Sequence, residues 1–353
     1  WLPLLQDDCL QTGSFSLPIV SEMPTAGYSF LNPTDMDAMT NHKWIDNRKP
    51  LFIVHIDSYS SIFAQDVYVN RFFRITSSLD GGQNQSLLHS DNFYEDFCLA
   101  INGLQNSNID SLVKFVHIIL NRLIMLMVRP PLSLFDEQKN DQNISTISKQ
   151  FKTLVFETLV SIVAKINSKL YSDDYSQMQS GILATFIHYQ VIFPQPEPTN
   201  NSNNHNHNVN DLNHEKDETL RSTFHEEIVI QWLSKEHSNE STVENLYKYS
   251  FFFFDSIFKS LCITVSLTSN SKIVHRLPID RYLKNNLNRL IHRIGDYIVR
   301  EIRNKHSNHQ QPSSCVNIVN RSLSFFIRDL LSIIDRHYVF SLMKIYLTKI
   351  KEN

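Results

Sequence analysis

Leu112 to Pro131, LVKFVHIILNRLIMLMVRPP, is the most apolar run in the chain, and how it is read decides what kind of protein this is. It is either a membrane span or a core helix. Its apolar residues each favour insertion by roughly 0.3 to 0.6 kcal/mol, while Lys114 and Arg122 each oppose it by roughly 2.5 to 3.5 kcal/mol, so the two sums nearly cancel. His117 and Asn121 tip the balance against the bilayer. Lys114, His117 and Asn121 also fall at i, i+3 and i+7, which places them on one helical face and leaves the rest of the circumference apolar. The spacing therefore predicts one core helix buried between other helices, stopped at Pro130 and Pro131 because proline lacks the N–H that a further turn needs.

A chain of 353 residues with 42% hydrophobic residues has ample material for a core. A formal net charge of -3 gives no global basic field, so nucleic acid is not expected as a partner. Cys9, Cys98, Cys262 and Cys315 are scattered without a CxxC pair, which signals neither a zinc site nor a disulfide framework. Only 7 glycines argue against phosphate-cradling loops and against a glycine-turned all-β fold. The chain starts at Trp1 with no charged-then-apolar leader, and is expected to be a piece of a longer protein.

Residues 1 to 62 carry strand grammar. WLPLL, SFSLPIV (14 to 20) and PLFIVHI (50 to 56) are short apolar runs separated by NPTD and DNRKP. Three strands cannot close a sandwich, so the expectation is the last strands of a β domain. From Gln65 the period becomes helical: 67–79, 92–104, the core helix, 147–170, 180–193, 224–233, 247–267, 279–303 and 322–350. Residues 194 to 218 lack core-forming side chains and read as a disordered, asparagine-biased insert; a metal tract at His205, His207 and His214 would need a second ligand cluster. The fold class is mainly α, an irregular armadillo- or HEAT-like solenoid after a few strands.

Chemistry finds no foothold in the sequence. There is no GxSxG, Walker loop or HExxH, and no catalytic, cofactor or metal residue is assigned. His225, Glu226 and Glu227 read as an acid-rich first helical turn. His188, beside Tyr189, reads as a satisfied core histidine. Phe251 to Phe254 read as a buried layer between helices. Arg289, Arg293, Arg300 and Arg303 are interleaved with Asp296 and Glu301 and read as a solvated face. In 322–346, Phe325, Phe326, Leu330, Ile333, Ile334, Tyr338, Phe340, Met343 and Tyr346 are too many for one face, so two faces should be buried.

Several stretches in one order resemble one family: WLPLL (1 to 5), LQTGSFSLPI (10 to 19), YSFL (28 to 31), KWIDN (43 to 47), SSIFAQD (60 to 66), LVKFVHIILNRLIMLMVRPP, FETLVSIVAKIN (156 to 167), LATFIHY (183 to 189), FHEEIVIQWL (224 to 233), FFFFDSIFKSL (251 to 261) and SLSFFIRDLLSIIDRHYVFSLMKIY (322 to 346). They are similar to the DOCK (dedicator of cytokinesis) guanine nucleotide exchange factors, zizimin-like branch. The resemblance implies that residues 1–62 end a lipid-binding β-sandwich and that 63–193 and 219–353 are two parts of the helical scaffold around the insert. It implies a Rho-family GTPase, Rac-like, engaged through a C-terminal exchange region absent from this chain. It also implies membrane phospholipid bound upstream, protein partners on the scaffold, a homodimeric parent, and a cytoplasmic protein recruited peripherally to membrane. On that reading the chain is no enzyme and needs no cofactor. A free-standing helical-repeat adaptor without exchange activity is the alternative that the residues leave open.

Overall fold

The computed structural model describes residues 11–16, 53–58, 64–79, 92–131, 141–170, 180–194, 223–235, 240–268, 281–307 and 314–351. Its contacts divide the chain into two units, Trp1–Gln85 and Ser86–Asn353. WLPLL and all but Pro194 of the 194–218 insert lie outside the described residues.

In the first unit, β1 (Gln11–Ser16) pairs antiparallel with β2 (Ile53–Ser58), setting Gly13 opposite Ile56 and Phe15 opposite Val54. Both strands overlap runs read as strands from their sequence. Among the described residues they form a single two-stranded ladder, so the end of a β-sandwich is not shown. Helix α1 (Val67–Leu79) follows with the predicted bounds. Asp66 caps it, its Oδ1 accepting from the backbone N–H groups of Tyr68 at 2.9 Å and Val69 at 3.0 Å.

The second unit is helical throughout its described residues. Helix α2 (Phe93–Gly103) ends in a 3-10 turn at Leu104–Asn106. The apolar run Leu112 to Pro131 is not one helix. It forms α3 (Ile109–Lys114) and α4 (Val116–Val128), separated at Phe115, whose φ of -109° and ψ of 14° leave the helical region. Asn108 caps α3 by accepting from the Asp110 N–H at 2.9 Å, so helical structure starts three residues before the apolar run. Burial of Leu112, Phe115, Leu120, Leu123 and Met127 supports the core reading, and among the described residues no helix is long and apolar enough to cross a membrane.

Helix α5 (Asp141–Leu170) is followed by α6 (Gly181–Thr185), which winds into a π-helical turn at Phe186–Gln190. Next come α7 (Phe224–Ser234), α8 (Glu240–Lys248) and α9 (Ser250–Thr268); the helix expected over 247–267 begins inside α8, whose residues 240–246 were not read as helix, and is broken at Tyr249. Then follow α10 (Arg281–Ser307), α11 (Ser314–Ile333) and α12 (Arg336–Lys351). The single helix expected over 322–350 is two, because Asp335 starts a new helix by accepting from the Tyr338 N–H at 3.0 Å.

Packing follows a helix-pair rule. α4 and α5 lie against each other, α5 lies against α7 and α8, and α7 lies against α9 and α10. The stack continues as α9 on α11 and α10 on α12, so equivalent helices of successive pairs touch. This is the consecutive pairing of a helical solenoid. An aromatic seam runs through it. Trp232 meets Phe254 at 5.2 Å, Phe253 at 5.9 Å and Tyr247 at 6.0 Å, Phe253 meets Phe156, and Phe254 stacks on Phe326 at 4.8 Å. Of the four phenylalanines read as a buried layer, Phe252, Phe253 and Phe254 are fully buried and Phe251 is half-buried; each fully buried side chain contributes about 1.5 to 3 kcal/mol.

Candidate functional site

Polar groups inside the second unit concentrate around α7, which is buried on nearly every side. Its first turn holds more than an acid-rich end. Glu226 reaches back so that its Oε2 accepts from the Thr223 N–H at 2.7 Å and the Thr223 hydroxyl at 2.8 Å. With the threonine proton directed to Glu226, Thr223 Oγ1 accepts from His225 Nε2 at 3.0 Å. His225 Nδ1 then accepts from the Ser260 hydroxyl at 3.0 Å. A Ser–His–Thr–Glu relay results, and burial pushes the His225 imidazole down to about 4, so it is neutral near pH 7.

That order of groups resembles a nucleophile with its base, but its exposure does not fit. Ser260 is 4% exposed and His225 3%, sealed between α7 and α9. The relay satisfies buried polar atoms of that helix contact.

Two ion pairs tie α5 to the same region. Lys152 Nζ lies 2.8 Å from Glu227 Oε2, and Glu227 Oε1 also accepts from Gln231 Nε2 at 2.9 Å, while Gln231 Oε1 accepts from Thr153 at 3.1 Å. Lys235 Nζ lies 2.6 Å from Glu157 Oε1 and 5.9 Å from the centre of the Phe156 ring. Arg293 of α10 donates to the Leu233 carbonyl, so of the four arginines read as a solvated face this one is half-buried and structural. Arg289, Arg300 and Arg303 are exposed, and Asp296 beside them pairs with Lys349 at 2.6 Å and His292 at 3.0 Å.

The acids at 226 and 227 were legible as a helix start, yet the α5 partner of Glu227 was not, because nothing local marks a pairing across 75 residues. His188 corrects the sequence reading: it is exposed, as is Tyr189, because Leu183, Phe186 and Ile187 take the buried face and the two residues after them fall on the opposite side. The second apolar face expected in 322–346 is formed but not covered. Phe326, Leu330, Ile334, Val339 and Leu342 are buried, whereas Phe340, Met343 and Leu347 stay exposed and line a shallow groove with Lys344, Thr348 and Lys351. No group of His, Cys, Asp and Glu among the described residues has the arrangement of a metal site.

Comparison with known proteins places this helical stack. The family described as "DOCK6-11, TPR domain" matches residues 101–353, well over half of the chain. Human dedicator of cytokinesis protein 7 is 23% identical across 98% of the chain, and the mouse protein of the same name is 30% identical across 55% of it. Mouse dedicator of cytokinesis protein 8 is 23% identical across 99%. The chain spans about a fifth of the length of the human relative, 20%, and 9% of the mouse protein 7 falls within its match. No solved structure matches. The matched region is the non-catalytic TPR part of these proteins. The chain belongs to the DOCK6-11 family through its TPR domain.

Proposed function

We propose that this chain is the scaffold segment of a guanine nucleotide exchange factor for Rho-family GTPases of the Rac type. It stands between a membrane-binding β-sandwich, whose end is residues 1–62, and an exchange region elsewhere in the parent. Residues 63–193 and 219–353 form the scaffold, and residues 194–218 are an insert within it. The observation that carries this reading is the coincidence of the family match, residues 101–353, with the stack of paired helices. A stack of this kind offers surface and spacing rather than chemistry. In the cell it would act in the cytoplasm, brought peripherally to membrane by the parent's lipid-binding part.

The test is nucleotide release from a Rac-type GTPase followed by stopped flow. The chain alone should leave release unchanged, and the full parent should accelerate it. A parent without activity toward any Rho-family GTPase would instead favour the free-standing adaptor. Acceleration by the isolated chain at micromolar concentration would overturn the scaffold reading itself.

A further inference from the structure

The surface of the second unit carries a pinned apolar ridge in cationic surroundings, at the π-helical turn after α6. Phe186 and Ile187 enter the core, while Tyr189 is 83% exposed and Ile192 66%. Neither sits on a loose segment. Asn121 of α4 grips the backbone on both sides of Val191, donating through Nδ2 to the Gln190 carbonyl at 3.0 Å and accepting at Oδ1 from the Ile192 N–H at 2.9 Å. The Val191 N–H donates to the Phe186 carbonyl at 2.9 Å, and Lys259 of α9 reaches the His188 carbonyl at 3.4 Å. Immediately afterwards Phe193 is buried against Phe224, with ring centres 4.6 Å apart. Two large apolar side chains are thus held in water by a backbone fixed at five points.

Among the described residues of the elements that form and carry this turn, basic side chains outnumber acidic ones. The turn packs on α4 and α9. Neither α4 nor the segment Gly181–Gln190 contains an aspartate or glutamate, and α9 contains Asp255 alone, which feels Asp329 of α11. The same elements carry Arg122 and Lys259, with Lys114 exposed at the end of α3 and Arg129 half-buried at the end of α4. Met125, 37% exposed and one turn beyond Asn121 on α4, extends the apolar surface.

We propose that Tyr189 and Ile192 anchor a docking site for an acidic peptide segment of a partner protein, with an apolar side chain seated against the ridge and carboxylates facing the surrounding cations. A rigid tyrosine beside an aliphatic group, rimmed by charge, is the composition of an interface hot spot. Two side chains offer less apolar surface than one acyl chain, which by itself holds a protein on a bilayer only marginally, so a peptide is favoured over a lipid surface. The inference rests on the helical framework and stands apart from the exchange-factor reading, whose failure would leave it intact.

The experiment is a selection of random displayed peptides on the complete chain, counter-selected against the double variant Tyr189→Ala with Ile192→Ala. Both positions are exposed, so the variant should keep the native helical dichroism, and a Tyr189→Phe with Ile192→Leu variant controls for shape. Recovered peptides should carry net negative charge and at least one large apolar residue. A synthetic copy should bind the alanine variant at least about tenfold more weakly, bind Lys259→Glu more weakly, and lose affinity as salt is raised. Neutral or basic peptides, equal binding to the alanine variant, or no enrichment would each overturn the proposal. So would co-sedimentation of the native chain, but not the alanine variant, with vesicles of phosphatidylcholine and phosphatidylserine, which would assign the ridge to a membrane.

Discussion

Lys152 and Glu227, 75 residues apart, meet at 2.8 Å in the interior between α5 and α7. Each is nearly inaccessible to solvent, so removing one leaves the other charged and buried. Glu227→Ala should therefore lose about 3 to 5 kcal/mol, whereas Lys152→Met combined with Glu227→Leu should sit close to the native protein. Urea midpoints of the two single variants and the double would check this; a double variant as unstable as the singles would show that Gln231 and the rest of the network also need the pair.

Asn121 supplies two of the bonds that fix residues 190 to 192, and both are solvent-exposed. Asn121→Ala should cost only about 1 kcal/mol overall. The local effect should be larger. The Ile192 amide should exchange with solvent much faster in the variant, while amides in the middle of α5 should not change. Asn121→Asp, which keeps the acceptor for Ile192 and loses the donor to Gln190, should fall between the two.

Asp255 introduces a pH dependence whose sign is opposite to that of an ion-paired carboxylate. Burial, reinforced by Asp329, pushes its carboxyl from 3.8 up to about 7, so between those values the folded chain holds the proton that the unfolded chain releases. Its contribution is most favourable below the unfolded value and is lost as pH rises through about 7. Asp255→Asn should match the native protein near pH 4 and exceed it in stability near pH 8. Thermal midpoints across that range would read the difference directly; His225, neutral when buried, acts with the opposite sign but is common to both proteins and cancels.

Gly295 lies in α10 where α12 crosses closely. A Cβ placed there would come 3.0 Å from Lys349 Cγ and 3.3 Å from its Cβ, the latter fixed by the α12 backbone. Gly295→Ala gains about 1 kcal/mol of helix propensity against that crowding and should be close to neutral. Gly295→Leu should push α12 outward, breaking the Lys349–Asp296 contact and speeding amide exchange in α12 ahead of α10.

The helices were legible where their periodicity was strong. Residues 67–79 matched their bounds, and of the aromatic layer read at Phe251 to Phe254 all but the half-buried Phe251 are fully buried, because an amphipathic or wholly apolar pattern leaves few choices. The break at Phe115 was not legible, because an apolar pattern runs through it and both flanking helices bury into the same core. At Tyr249 and Asp335 polar residues do interrupt the pattern, Lys248 and Ser250 in one case and Asp335, Arg336 and His337 in the other, though neither place holds a glycine or proline. His188 was misread for a different reason: FIHY was taken as one apolar face, whereas Phe186 and Ile187 take the buried side and His188 and Tyr189 fall opposite them. The Glu227 pairing and the Asn121 grip join residues about 70 apart, a distance at which one sequence holds no register.

Helix α7 touches α4 and α5 on one side and α9 and α10 on the other, and its buried charges and Trp232 are committed to both. An array of nearest-neighbour repeats melts in stages, each unit reporting its own stability. A member shared by both halves removes that independence. Heat absorbed by the second unit should then appear as a single cooperative event, with neither half persisting after the other has gone, and truncation on either side of α7 should leave no stable remainder.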